Sequence, residues 1–200
     1  RAMWLGEITP TVFARTPIAP FILNTITDDG LTFDLAIYAG RGPGPFSPPS
    51  TYSVGLLSGR RFDDVGDALE YAVAEQLRGL AGPFISLLQR DEHLFHLTGV
   101  PHILGSLTTV FLAETESPPP TKHWNRTFTP EQRAAVATLP PVSATRDGLI
   151  GFGLGVAELV VRRARPLYPR YSLRWPTELA TVAARRVDEN LGIDISAWLH

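Results

Sequence analysis

The sequence predicts an α+β protein in which a small β-sheet is followed by a C-terminal helical bundle. Two observations lead to this prediction. Two β-rich runs flank a polar turn within residues 1–60, and from Phe62 onward apolar residues recur every three to four positions. We therefore divide the chain into a β-rich part, residues 1–60, and a helical bundle, residues 61–200.

A β-hairpin is predicted around Gly30, which can adopt the positive φ that a tight turn requires. The runs FILNTIT and LTFDLAIYAG lie on either side of the turn. Side chains alternate across a strand, so Asp34 lies on the more polar face, opposite the face of Phe33 and Leu35. Asp34 is either an exposed or paired structural carboxylate, or a metal ligand or general base.

Helical periodicity organises the rest of the chain, in which five or six helices are expected. The first helix opens near Asp63 and Asp64 and ends at Gly79. The second begins at Pro83 and carries Phe84, Leu87, Leu88, Leu94 and Phe95. The later helices cover about residues 103–113, 129–139, 149–165 and 176–190, with a capping box at 129–132 and a stop at Gly192.

Composition excludes several classes of site and protein. The 200 residues have a formal net charge of −2, so no global positive field indicates nucleic acid. The absence of cysteine excludes disulfides, thiolate metal sites and a Cys nucleophile. No apolar run approaches the roughly 20 residues that span a bilayer, and no signal peptide is visible. We therefore expect a cytoplasmic protein without a membrane partner.

Two glycine-containing motifs resemble nucleotide-binding motifs. GLIGFGLG, residues 148–155, follows the polar turn SATRD and not the strand that precedes a dinucleotide-binding loop, so we favour close helix packing through small residues. Gly105-Ser106, followed by Glu114 and Glu116, superficially matches the Gly-Ser and paired-acid signature of nucleotidyltransferases. Its glycine falls inside a helical period, so we give it little weight.

Two side-chain clusters also have alternative interpretations. His93 and His96 are three residues apart, a spacing that can build a metal site, but no third ligand is suggested and structural histidines are favoured. Residues 162–175 interleave arginines with Tyr168, Tyr171 and Trp175, which can bind phosphates and stack on bases. The structural alternative is a helix end that complements its dipole, followed by a packed loop.

Lys122 is the only lysine, and it stands beside His123, Trp124, Asn125 and Arg126 just before a helix start. This mixture of cationic and aromatic groups suits an anionic ligand. The alternative is a solvated loop lysine.

Three stretches resemble the DNA polymerase β-like nucleotidyltransferases, particularly the antibiotic adenylyltransferase type. WLGEITPTVF…FILNTITDDGLTFDLAIYAG is similar to the family's late hairpin, which carries the third catalytic carboxylate. LLQRDEHLFHLTGVPHILGSLTTVFLAE is similar to the bundle helices behind the catalytic sheet. PTKHWNRTFTPEQRAAVATLP is similar to the loop and helix that place a lysine near the nucleotide phosphates.

The resemblance implies a partial nucleotidyltransferase-type sheet and a bundle that binds substrate. The implied reaction transfers a nucleoside monophosphate from an NTP, such as ATP, to a hydroxyl of a small-molecule acceptor with Mg²⁺ as cofactor. It makes Asp34 the catalytic carboxylate and metal ligand, and it makes Lys122 and Arg126 phosphate contacts. Asp91 and Glu92 are candidates for binding cationic groups of the acceptor.

The family's first motif, Gly-Ser followed by Asp-x-Asp, is not found before Asp34. It is expected upstream of Arg1 if the chain is part of a longer enzyme. Two other functions stay open. One is a non-catalytic binding or interaction module on the same scaffold, and the other is a toxin-like nucleotidyltransferase that acts on RNA through the arginine–aromatic segment.

Overall fold

The structure is a computed structural model that describes three strands and two longer ranges of the chain. The strands are β1 (Ala2–Trp4), β2 (Phe21–Thr27) and β3 (Thr32–Ile37), of which only the backbone is described. The longer ranges are residues 64–117 and 124–199, with side chains described for all but Trp124. The strands pair as an antiparallel meander in the order β1-β2-β3, so the predicted β2–β3 hairpin is confirmed.

The α+β fold class is wrong for this protein. Over residues 64–117 and 124–199 the structure contains no strand, and 78% of these residues are helical. A nucleotidyltransferase-type sheet is not found in these two ranges, which conflicts with the predicted sheet-and-bundle architecture. The helices bury their apolar faces against one another, so this part of the chain closes its core without a sheet.

The helices are more numerous than the sequence predicts, because several short helices stand between the long ones. They are α1 (Val65–Gly79), α2 (Ile85–Gln89), α3 (His93–Thr98), α4 (Val100–Thr115), α5 (Trp124–Thr127), α6 (Pro130–Ala137), α7 (Arg146–Ala164), α8 (Leu167–Arg170), α9 (Thr177–Leu191) and α10 (Ser196–Leu199). A single π-helical turn, Leu80–Phe84, joins α1 to α2 without a break. The sequence predicts an end at Gly79, but the π turn accommodates Pro83 and lets the chain continue as helix.

Local capping fixes several of these boundaries as expected. The Asp64 carboxylate accepts the Gly66 N–H at 2.6 Å and starts α1. In α6 the capping box is complete, because Thr129 Oγ1 accepts the Gln132 N–H at 3.1 Å and Gln132 Oε1 accepts the Thr129 N–H at 3.0 Å. Gly192, with φ 67°, ends α9 in the left-handed conformation.

The core lies between the long helices. α1 packs most extensively on α4, and α4 packs on α7, while α9 covers the π turn. The largest fully buried side chains include Leu69 and Leu77 of α1, Phe111 of α4 and Leu179 of α9. This arrangement leaves the short helices α2 and α3 at one end of the bundle, where α3 contacts α7 and the start of α4.

The glycine-rich segment of α7 makes a close helix contact, as the sequence predicts. A Cβ added at Gly153 would lie 3.0 Å from Cζ of Phe84 and closer still to its Cε2. The ring from the π turn therefore lies directly against the α7 backbone. The nucleotide-loop alternative finds no support here, because residues 148–155 are the first turns of a helix.

Candidate docking site at helix α3

A tight turn of three residues joins α2 to α3. Asp91 adopts the left-handed backbone, φ 56°, which aspartate tolerates better than most residues. The Glu92 N–H donates to Leu87 O at 3.0 Å, and the His93 N–H donates to Asp91 O at 2.8 Å. The turn changes the chain direction and resets the helical phase, so α3 does not continue the apolar face of α2.

Helix α3 exposes two large apolar side chains and buries a histidine, which is the reverse of the usual amphipathic arrangement. Leu94 and Phe95 are 76% and 62% exposed, and no other Leu, Ile, Phe or Trp among the described residues is as open to solvent. His96 is only 4% exposed and faces the bundle. Contiguous apolar side chains on a surface can mark a site that meets a partner, and Leu94 and Phe95 are adjacent in the chain.

The buried face of α3 is built around the two histidines. The His96 ring meets the Phe84 ring edge-on, with centroids 5.0 Å apart, and its Nδ1 is buried without a hydrogen-bond partner. His93 Nε2 is also buried without a hydrogen bond, and the nearest carboxylate oxygen, Asp91 Oδ1, lies 3.7 Å away. Burial lowers the pKa of His96, and His93 lowers it further.

Two contacts hold this end of the bundle to the long helices. Gln89 Nε2 donates to Asn190 Oδ1 of α9 at 2.7 Å, and Arg146 Nη1 at the start of α7 donates to Leu88 O at 3.0 Å. The turn before α3 is therefore held to the long helices α7 and α9. Because the backbone that carries the exposed apolar pair is already fixed, less conformational entropy is lost when the pair binds.

We expect His96 to make the protein less stable in mild acid. Its pKa is lower in the folded chain than the usual value near 6.5, so the unfolded chain binds the proton first. The free energy of unfolding should fall as the pH drops through 6.5 toward the folded pKa, with a slope of up to about 1.4 kcal/mol per pH unit. Urea unfolding at pH 7.5, 6.5 and 5.5 measures this slope.

The variant His96→Gln should lose that part of the pH dependence. His102→Gln is the matched control, because the His102 side chain is 44% exposed and its Nε2 has only a distant carboxylate, Glu75 Oε2 at 3.9 Å. Equal slopes in the parent protein and in His96→Gln would contradict the assignment.

The sequence and structure were compared with known protein families, curated proteins and solved structures. No family model, curated protein or solved structure matches this sequence. The function of the site is therefore argued from its geometry alone.

The residues predicted from the sequence belong to separate elements of the chain. Asp34 lies in β3 opposite Asn24, and its side chain is outside the described residues, as is Lys122. Arg126 is exposed on α5, whereas Asp91 and Glu92 are exposed on the α2–α3 turn. Within the described residues no hydrogen bond or ion pair joins Arg126 to Asp91 or Glu92, and the role predicted for each of these residues stays a prediction.

The paired acids before the proline run belong to an ion-pair network. Arg163 of α7 holds Glu114 with two parallel hydrogen bonds, Nε to Oε1 at 2.6 Å and Nη2 to Oε2 at 2.9 Å. Gln132 Nε2 donates to the same carboxylate at 2.7 Å. Arg170 pairs with Glu116. These contacts give both acids structural partners that join α4, α6, α7 and α8.

Most of the arginine–aromatic segment is also used for packing. Arg162 pairs with Glu158 at 2.7 Å, and the Tyr171 hydroxyl donates to Ala113 O at 2.7 Å. Arg165 stacks on Trp175, 5.0 Å from the ring centroid. These contacts favour the structural interpretation of the segment, in which a helix end is followed by a packed loop.

Sequence reasoning missed the outward direction of Leu94 and Phe95. It placed both on one continuous helix with Phe84, Leu87 and Leu88, whereas they lie on a separate helix after a turn. The signal lay in DEH at residues 91–93, a run of charged residues inside an otherwise apolar period. Among the described residues no group of three or more His, Cys, Asp or Glu side chains could hold a metal ion, so His93 and His96 do not form such a centre.

Proposed function

We propose that the helical part of this protein is a non-catalytic binding module that docks an apolar partner surface on α3. The observation that carries the proposal is the reversed orientation of α3, with Leu94 and Phe95 in solvent and His96 in the bundle. Covering a leucine and a phenylalanine contributes about 1.5–3 kcal/mol each. Two such side chains on a helix that is held in place are enough for a reversible binding contact.

Nucleotidyl transfer stays a prediction from the sequence. Its central residues, Asp34 and Lys122, have side chains outside the described residues. Calorimetric titration with ATP and Mg²⁺ separates it from docking. Binding that disappears in Asp34→Ala and Lys122→Ala would support the enzyme, whereas docking requires neither residue.

A fluorescent label at one site tests docking directly. The chain has no cysteine, so a cysteine at Thr98 on α3 can be labelled uniquely with a polarity-sensitive dye. Thr138 at the end of α6 is the matched position, because both threonines are exposed and donate Oγ1 to a carbonyl three residues earlier, at 2.6 Å and 2.7 Å. We expect the emission at position 98 to shift to the blue on addition of phosphatidylcholine vesicles or on raising the protein concentration.

The same label at position 138 should not respond. The change Leu94→Ser with Phe95→Ser should abolish the response at position 98 and leave the melting temperature nearly unchanged, because both side chains are already exposed. A label at position 98 that stays solvent-like under every condition would overturn the proposal. So would an unchanged response in the double variant.

A further inference from the structure

Helix α3 is attached to the bundle through very few side chains, and the most buried of them is ionisable. Of the six residues His93–Thr98 only His96 is buried, and Leu97 adds a partly buried apolar contact with the core. A helix of this length is not stable alone, because isolated helices shorter than about 12 residues are marginal in water. The helical structure of α3 therefore depends on the packing of His96 and Leu97 against the bundle.

The site of His96 accepts a neutral imidazole and not a protonated one. The ring meets the Phe84 ring edge-on, and within the described residues its buried Nδ1 has no hydrogen-bond partner. A neutral ring can carry its proton on Nε2 and leave Nδ1 as an acceptor, whereas a protonated ring must place an N–H on Nδ1. That N–H would be buried without an acceptor, and the positive charge would lose much of its hydration.

The ionisable groups around α3 do not offset this cost. Burial lowers the pKa of His96, and His93 lowers it further. The π turn and α2, which carry Phe84 and the residues up to Gln89, contribute no ionisable side chain. The remaining ionisable residues in the turn and in the first turns of α4 and α7 are all exposed, and within the described residues none of them bonds to His96: Arg90, Asp91, Glu92, His102, Arg146 and Asp147.

The rest of the bundle keeps its core without α3. Among the described residues, none of the largest fully buried side chains lies on this helix. The chain before it is held separately, because Gln89 Nε2 donates to Asn190 Oδ1 and Arg146 Nη1 donates to Leu88 O. The chain after it continues as α4, which packs on α1 and α7. Residues 90–99 can therefore open while both ends of the segment stay attached to folded helices.

We propose that α3 opens locally in acid, because protonation of His96 detaches the helix from the bundle while the long helices stay folded. In the closed form the pKa of His96 lies below its usual value near 6.5, so the open form binds the proton first. Opening is therefore favoured increasingly as the pH falls from 6.5 toward the pKa of the closed form. It requires no partner, so it is independent of the docking proposed for α3.

Hydrogen exchange followed by mass spectrometry tests the opening with the full chain. The reporters are the amides of residues 96–99, among which the His96 N–H donates to Glu92 O at 2.8 Å and the Gly99 N–H donates to His96 O at 3.0 Å. Rates are corrected for the intrinsic effect of pH on exchange. We expect the protection of these amides to fall at least about threefold between pH 7.5 and 5.0.

The amides of residues 179–187 in α9 report the unfolding of the whole bundle. We expect them to be better protected than residues 96–99 at every pH. Low concentrations of urea should reduce the protection in α9 and change that in α3 little, because a local opening exposes little surface. Equal protection and equal urea dependence in the two segments would mean that α3 opens only when the bundle unfolds, which overturns the proposal.

Substitution of His96 identifies the group that controls the opening. His96→Met should remove the fall in protection at residues 96–99, because methionine fills the site without an ionisable group. His96→Gln is the second variant and should also remove it. His102→Gln should retain the fall, since His102 is exposed and lies outside the contact with Phe84. The melting temperature at pH 7.5 shows that each variant is folded. Protection that is independent of pH in the parent protein, or that still falls in both His96 variants, overturns the proposal.

Discussion

Replacing Arg163 with methionine should lower the free energy of unfolding by about 2–4 kcal/mol. The Arg163 and Glu114 side chains are only 19% and 18% exposed, and two parallel hydrogen bonds join them. Removing the guanidinium leaves the Glu114 carboxylate partly buried, with Gln132 as its remaining side-chain partner. The loss is therefore larger than the contribution of an ordinary surface ion pair.

Urea unfolding at pH 7 measures the change as a shift in the midpoint. Arg162→Met is the matched control on the same helix, because Arg162 also pairs with a glutamate, Glu158 at 2.7 Å, but is 61% exposed. Its loss should stay below about 1 kcal/mol. Equal losses in the two variants would show that burial does not decide the contribution of this network.

Gly153→Ala should destabilise the protein by about 1–3 kcal/mol, even though alanine is the better helix former. The added methyl would overlap the Phe84 ring, which is itself packed in the core. Either the ring or the α7 backbone has to move. Thermal and urea unfolding of the variant measure the cost.

Gly151→Ala, half a turn earlier in the same helix, should have the opposite sign. Its Cβ would lie 3.7 Å from the Pro140 Cβ, an ordinary contact, so the gain in helix propensity of about 0.5–1 kcal/mol should be retained. If both variants were stabilised, the contact between Phe84 and α7 would not be as close as the structure shows.

Local signals in the sequence predict local structure well here. Asp64, the capping box at Thr129 and Gln132, and Gly192 each act within four residues, and each begins or ends a helix where expected. The hairpin around Gly30 is of the same kind, since a turn and two alternating runs specify it. None of these signals specifies what the element packs against.

The fold class was wrong because it depended on long-range packing. The hairpin and the helices were joined into one sheet-and-bundle architecture through a resemblance of short stretches, whereas the described helices complete their core with one another. The outward direction of α3 was not predicted for a related reason. A single residue, Asp91, takes a positive φ and shifts the helical phase, so Phe95 points away from the face that Phe84 occupies.

The candidate site could be predicted only in part. Asp91 and Glu92 were singled out as candidates for binding a cationic acceptor, which stays a prediction, and they lie in the turn directly before α3. Which side of a six-residue helix faces solvent depends on its neighbours in space, and the sequence does not state them.

The Phe84 ring is shared between two parts of the molecule. The ring lies against the backbone of α7 at Gly153, and it also meets the edge-on His96 ring of α3. A substitution in the middle of α7 that displaces this ring therefore also changes the surroundings of His96. The packing of the bundle and the ionisation of His96 are thus energetically coupled, and mutations at positions 84, 96 and 153 should show non-additive effects.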